Sequence, residues 1–413
     1  MRISTFQSYS TALNSMTDQQ SRLSETQLKI SEGKRILKPS DDPIGSGIAL
    51  NLKQQIESSK QYVKNGSMAD TNLQVTENAL SSVTDILDRV RELMLQGANG
   101  ALNYADRVSL SVEIEKRAEE LLGIANTQLS DGKYIFSGFR TSTKPFTTDI
   151  AGNVTYNGDQ GKIQVDVNST VSVEANFNGS DVFQRILTGN GTFLTKAADS
   201  NAGTGIIGSG NLVDASVYVP DVYTVDFTTN AGGVRVYTIS DSAGNQLVPA
   251  PPGVVPADAP TFVEGGDIEF QGIQFSINGR PEDGDQFTIQ PSSSQDLFTT
   301  IQQITDALKT SNSTESLQAQ LQNRINNGLI NLDRAMEHID RQRSSLGARL
   351  NVIESEKNIN QNIVIQARSS LSIVEDLDYA EAITDLNRQS VALQAAQQSF
   401  VKIESLSLFQ FIS

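Results

Sequence analysis

Apolar residues recur at alternating steps of three and four at both ends of the chain. Near the start, apolar residues and two polar substitutes fall at Phe6, Tyr9, Leu13, Met16, Gln20, Leu23, Gln27 and Ile30, one stripe of a heptad helix. Near the end, Ile383, Leu386, Ser390, Leu393, Gln397 and Phe400 repeat the spacing, again with Ser or Gln at alternate sites. Seams more than 350 residues apart can pair only if the intervening chain goes out and returns. The spacing therefore predicts an out-and-back molecule whose paired ends are its assembly surface. Polar residues at core positions weaken a seam while setting register and partner choice. The ends are thus expected to be largely disordered in the monomer and to order when packed among other subunits.

Inside these seams the helical period continues. Leu73, Leu80, Val83, Leu87, Val90 and Met94 keep heptad spacing, and Leu110, Ile114, Leu121 and Ile124 extend it. On the return side the register is longer, running from Ile325 through Leu332, Ile339, Leu346, Ile353 and Asn360 to Val374. At 1.5 Å per residue that stretch predicts a rod-forming helix of ~75 Å. Between the first seam and these helices lies Pro39-Ser40-Asp41-Asp42-Pro43. The residue before a proline leaves the helical region, and Asp42 before Pro43 reads as an N-cap with proline at the first helical position. The first helix is expected to stop near Ile36 and restart at Pro43, with Glu375 to Ala382 as the matching bend on the way back.

The middle is different. Residues 146–290 hold 19 of the 30 glycines, 7 of the 11 prolines, and 17 acidic against 5 basic residues. Strand-like runs occur at Ile163–Val167, Val171–Phe177, Val222–Thr228 and Val234–Ile239, punctuated by Asn157-Gly158, Asn178-Gly179 and Asp283-Gly284 as turn signals. The prediction is an α+β chain in three parts. Residues 1–40 and 376–413 form a terminal coiled coil. Residues 41–145 and 291–375 form a helical rod with a β-hairpin near 133–145. Residues 146–290 form an antiparallel β domain, divisible into two subdomains.

Composition narrows the function. The net charge of -16 argues against nucleic-acid binding, which needs clustered Lys and Arg. There is no cysteine, so disulfides, thiolate catalysis and Cys-ligated zinc are excluded. Neither a cleavable signal peptide nor an apolar membrane span is expected. The single His338 precludes paired-histidine metal sites and lies beside Ile339, where it reads as a semi-buried or solvated helix residue. Each Gly-Lys pair lacks a following Ser or Thr, so no phosphate-binding P-loop is present. Asp41 and Asp42 are explained by capping and the helix dipole without catalysis. No catalytic residue, cofactor or metal is predicted.

Four stretches carry a resemblance: MRIST at the start, Gly33 to Pro43 (GKRILKPSDDP), Ser130 to Phe139 (SDGKYIFSGF), and the tail from Asn387 to Ser413. With them the chain resembles the flagellin superfamily, and within it the hook-associated junction branch. The resemblance covers roughly the outer 145 residues at the start and 125 at the end, with Asn278 to Gln290 similar to the family's exit from its β domain. Flagellin proper usually has Ala-Gly after the two aspartates, where this chain has Pro43-Ile44. The resemblance implies terminal helices packed in an axial tube, a bend at Ser40 to Pro43, and export as an unfolded chain to the extracellular flagellum. It implies as partners other copies of the chain, a neighbouring hook-associated protein, flagellin, and an export chaperone on the C-terminal helix. The competing readings are a bulk-filament flagellin and, from another class, an enzyme or carbohydrate-binding protein acting through the β insert.

Overall fold

The computed structural model describes residues 5–150, 152–253 and 255–412, with the side chains of residues 5, 6, 8 and 403–412 outside that description. The helices are α1 (Thr5–Glu32), α2 (Pro43–Gly97), α3 (Tyr104–Ala125), α4 (Gly179–Phe183), α5 (Leu297–Leu308), α6 (Glu315–Glu375) and α7 (Tyr379–Ile412). Antiparallel strands fill the middle, so the chain is α+β with helical ends. Two compact units are present: Met1–Gly66, Val167–Thr170 and Ser355–Ser413 in one, Ser67–Asp166 and Val171–Glu354 in the other.

In the first unit α1 packs along α7. The four-residue segment Val167–Thr170 is tied to α6 by amides. Asn360 Nδ2 donates to Val167 O at 2.9 Å, and Asn168 Nδ2 to Glu356 Oε2 at 2.8 Å. A polar residue at a heptad position thus meets a backbone carbonyl that would otherwise be buried without a partner.

In the second unit the heptad stripes of α2 and α6 are buried. Leu73, Leu80, Val83, Leu87, Val90 and Met94 on α2, and Ile325, Leu332, Ile339, Leu346 and Ile353 on α6, are all at most 1% exposed. The helices run antiparallel: Arg91 Nε meets Asp333 Oδ1 at 2.8 Å and Arg343 Nη2 meets Glu77 Oε1 at 2.8 Å. Arg107, buried in α3, ties two chain reversals together. It donates to Leu102 O and Thr310 O, both at 3.0 Å, in the loops that follow α2 and α5.

The β region alternates as strands with one buried face do. In Tyr223–Thr229, Tyr223, Val225 and Phe227 point inward, and in Ile273–Asn278, Ile273, Phe275 and Ile277 do. The larger sheet has the order 246–248, 235–240, 223–229, 286–291, 193–197. Strands 267–270, 273–278 and 206–207 form a second sheet, and a single hydrophobic cluster draws residues from both. A separate aromatic cluster joins Phe136, Phe146, Phe183 and Phe298, with ring centroids 5.1–6.0 Å apart.

Three sequence expectations are corrected. Asn178-Gly179 is not a hairpin turn: Asn178 caps α4, its Oδ1 accepting from Asp181 N at 2.8 Å. The hairpin near 133–145 is a pair of turns with isolated bridges, Gln128 to Tyr134 and Ser137 to Asn178. Gly132 and Gly138 hold φ of +81° and +70° there, and Phe139 N bonds the Asp159 carboxylate at 2.7 Å instead of a strand. The two-stranded ladder forms just after, Phe146–Thr148 against Val154–Tyr156. Finally, α1 ends at Glu32 rather than near Ile36, for a reason given below.

His338 is buried, with Nε2 2.7 Å from Asp181 O. Burial depresses its pKa below the ordinary histidine value of 6.5 despite that hydrogen bond, and the charge of Arg341 adds to the depression while Asp181 opposes it. The unfolded state then binds a proton that the folded state resists. Stability is complete above pH 6.5 and falls as pH drops through that value toward the folded pKa. The unfolding midpoint should therefore decline between about pH 6.5 and 5, before ordinary carboxylates titrate. His338→Gln should flatten that segment of the profile; an unchanged slope in the variant would refute the assignment.

Candidate functional site: the terminal helix pair and its elbow

The heptad pattern at the chain ends becomes one antiparallel pair. Among the half-buried residues of α1, Ala12, Met16, Gln19, Leu23, Thr26 and Ile30 fall at steps of three and four, with Ser10 and Lys29 half-buried beside them. Met16, Leu23 and Ile30 belong to the predicted stripe, while Tyr9, Leu13, Gln20 and Gln27 lie exposed on its flank. The side chain of Phe6 lies outside the described residues. On α7, Leu386, Ser390, Leu393 and Phe400 are half-buried, and Ile383 and Gln397 are exposed. Tyr9 and Phe400 meet with ring centroids 5.1 Å apart. Within the seam Thr26 Oγ1 donates to Gln389 Oε1 at 3.0 Å, joining positions 363 residues apart.

The elbow after α1 is built from backbone chemistry. Gly33 takes φ +68°, and Lys34 N returns to Lys29 O at 3.2 Å, the closing bond of a Schellman cap. This glycine ends α1 four residues before the sequence expectation. The chain then bridges the return bend: Arg35 N donates to Glu375 O at 2.8 Å, and Leu377 N to Gly33 O at 3.0 Å. Pro39 and Ser40 occupy the exposed turn. The Asp41 carboxylate accepts from Lys38 N at 2.9 Å and Leu37 N at 3.0 Å, and these bonds hold its pKa below the usual value. Asp42 Oδ1 accepts from Gly45 N at 2.8 Å, capping α2 with Pro43 at its first position. Asp378 does the same for α7, accepting from Ala380 N at 2.8 Å and Glu381 N at 3.2 Å.

Charge locks the elbow. Glu375 is buried and receives Lys34 Nζ at 3.0 Å and Lys53 Nζ at 2.9 Å. Burial pushes its pKa up, but the hydrogen bonds from Lys53 and Lys34 outweigh burial and leave it lowered. Arg35 Nη2 spans Val374 O at 2.8 Å and Asp42 Oδ2 at 3.3 Å. Sequence reasoning located the bend but not this clasp. Basic residues at 34, 35 and 53 and an acid at 375 cannot be paired from one chain without the fold. Among the described residues no group of three or more His, Cys, Asp or Glu is placed to hold a metal, and no helix is long and apolar enough to cross a membrane. The arrangement fixes direction and register and presents apolar side chains outward.

Comparison with known proteins matches the same regions. Residues 3–141 match the bacterial flagellin N-terminal helical region and residues 329–412 the bacterial flagellin C-terminal helical region. The chain is 25% identical over 410 residues to flagellar hook-associated protein 3 of Escherichia coli (strain K12), covering 99% of each. The crystal structure of flagellar hook-associated protein-3 from Legionella pneumophila superposes with TM-score 0.75 at 33% identity, covering 78% of this chain and 98% of that one. A Xanthomonas campestris FlgL structure gives TM-score 0.70 at 28% identity, covering 78% and 99%.

The clasp makes a paired prediction at two glycines. A Cβ at Gly33 would be forced into φ +68° and lie 2.8 Å from the Tyr379 hydroxyl, so Gly33→Ala should cost about 1–2 kcal/mol. Gly47, exposed within α2, has nothing within 4 Å of its Cβ position, and Gly47→Ala should gain about 0.5–1 kcal/mol. Urea unfolding followed by circular dichroism separates them; shifts of the same sign would contradict the clasp.

Proposed function

The chain belongs to the flagellin family, in its branch of hook-associated, hook–filament junction proteins, and from that footing we propose how it acts. It is a structural adaptor that polymerises as a short ring or zone, one face meeting the preceding hook-associated protein and the other accepting flagellin. The observation that carries this reading is the match along nearly the whole length of a hook-associated protein 3, together with the Legionella superposition. Residues 1–40 and 376–413 serve as the axial tube, 41–145 and 291–375 as the rod, and 146–290 as the outward domain. The assembly surface comprises the predicted stripes on α1 and α7, and Pro39 to Pro43 set the bend.

The exposed apolar side chains support that assignment. Tyr9, Leu13 and Leu28 on α1, and Ile383, Val391 and Val401 on α7, stay exposed although the two helices are paired. Apolar stripes left open on a formed helix pair are surfaces for further protein. Packing of one copy's stripe against a different face of the next is heterologous, which suits an open lattice rather than a closed dimer. Export precedes assembly, with a chaperone covering the C-terminal helix. Catalysis has no part in this role.

Deletion of the gene should leave hooks without filaments, with flagellin released into the medium, as seen by electron microscopy and immunoblot. Normal filaments in the deletion strain would defeat the assignment. Growth of long filaments from the purified chain alone would select a bulk flagellin instead. Re-supplying a Leu13→Asp, Val391→Asp variant should restore secretion of the chain but not filaments, while its far-ultraviolet circular dichroism stays that of the parent.

A further inference from the structure

A cavity of about 430 Å³ lies in the second unit, between α4, α6, Lys162 and the segment from Glu174 to Asn178. Small-ligand sites occupy ~300–1,000 Å³. Its lining sets Lys162, Arg185, Arg341 and Arg349 against Glu174 and Asp181, four cations against two carboxylates, in a chain of net charge -16. That local excess of positive charge is opposite to the character of the molecule.

The four cations differ in freedom. Arg349 is committed: Nη2 meets Glu174 Oε2 at 2.6 Å, Nη1 donates to Asn176 O at 3.2 Å, and the guanidinium lies 4.3 Å from the Phe177 ring centroid. Lys162, Arg185 and Arg341 have side chains 51%, 54% and 61% exposed; Lys162 Nζ shares the Glu174 carboxylate with Arg349, at 3.2 Å, and Arg185 Nη1 meets Asp181 Oδ1 at 2.9 Å. Arg341 has only a 3.5 Å contact to Glu337, leaving donors of its planar fork in solvent. Beneath them the buried Asn178 and His338 supply a polar floor.

An aromatic ring stands beside the mouth. Phe139 is 65% exposed, unusual for so large an apolar side chain. Its ring lies on bare backbone at Gly161, where a Cβ would approach Phe139 Cδ2 to 2.3 Å. Asn176 in the cavity lining donates to Gly161 O at 3.1 Å, and the next residue is Lys162. The turn is held by Phe139 N donating to Asp159 Oδ1 at 2.7 Å. A largely exposed ring packed on Gly161, the residue before Lys162, offers a second kind of recognition near the cations.

We infer that this cavity binds an acidic saccharide, with Lys162 and Arg341 pairing its carboxylate or sulfate and Phe139 stacking on the apolar face of the sugar ring. A planar guanidinium and a lysine ammonium are the groups that hold such oxyanions by charge-assisted hydrogen bonds. A neutral sugar lacks the partner for them, and a bare anion makes no use of the ring. This binding is independent of the junction role and requires no polymer.

The test is calorimetric titration of the full-length chain, kept dilute enough to be monomeric by sedimentation, with tetragalacturonate, a neutral galactose tetramer and sodium sulfate. Saturable binding is expected for tetragalacturonate and none for the neutral tetramer. Lys162→Ala, Arg341→Ala should weaken it by about tenfold or more, as loss of charge-assisted hydrogen bonds does. Both side chains are solvent-exposed, so the fold should survive, which circular dichroism checks. Phe139→Ala should weaken the saccharide several-fold and leave sulfate unchanged. Absence of saturable binding, equal binding of sulfate and saccharide with no effect of Phe139→Ala, or a double variant that alters self-association alone, would each overturn the inference.

Discussion

Burial of every seventh residue along α6 is the constraint on which the helical part depends. Ile325, Leu332, Ile339, Leu346, Ile353, Asn360 and Ala367 are all nearly inaccessible, while Leu329, Met336, Arg343, Leu350, Lys357, Val364 and Leu371 are half-buried. A helix of 61 residues, ~90 Å at 1.5 Å per residue, has no tertiary support of its own and is held by that stripe. A single polar intruder at a fully buried position must bring its own partner. Asn360 does so through Val167 O and Glu356 O, which is why a segment remote in sequence is drawn to that point.

Much of the architecture was legible because periodicity reports which face is buried. The α+β class and the strand runs at 223–229 and 235–240 emerged from alternation alone. What periodicity cannot report is the partner. The strand 286–291 inserts between 223–229 and 193–197, a choice made by long-range packing of Phe287 and Ile289 into the shared cluster. Local signals failed where one residue type serves two geometries. Asn178 before glycine could open a turn or cap a helix, and the availability of Asp181 N decided it.

The ends show the same limit at the level of a single helix. Heptad arithmetic accommodates two neighbouring stripes on α1, sharing Met16, Leu23 and Ile30 and differing by one residue elsewhere. The stripe containing Ala12, Gln19 and Thr26 faces inward, and the one containing Leu13, Gln20 and Gln27 is left outside. Small and polar residues thus lie within the pair beside Met16, Leu23 and Ile30, while Leu13 remains open and Tyr9, though exposed, meets Phe400. Hydrophobicity ranks the second stripe higher; only the presence of α7 separates them. The elbow was visible through Asp42-Pro43, whereas its clasp was hidden, since Arg35 and Val374 are 339 residues apart.

That inversion has a physical logic. An antiparallel pair held by large apolar residues would have gained stability by hiding them, and would have left its polar face to neighbours. Here register within the pair comes from directional groups: Thr26 with Gln389, the Schellman cap at Gly33, the aspartates opening α2 and α7, and Glu375 between two lysines. Hydrogen bonds of this kind contribute only about 1 kcal/mol each but are intolerant of slippage. Non-directional burial, stronger per side chain at roughly 1.5–3 kcal/mol when complete, is only partial at Met16, Leu23, Ile30, Leu386, Leu393 and Phe400 and leaves Leu13, Leu28, Ile383, Val391 and Val401 exposed. Alignment of the pair is therefore decided by directional groups, while part of its apolar surface stays open.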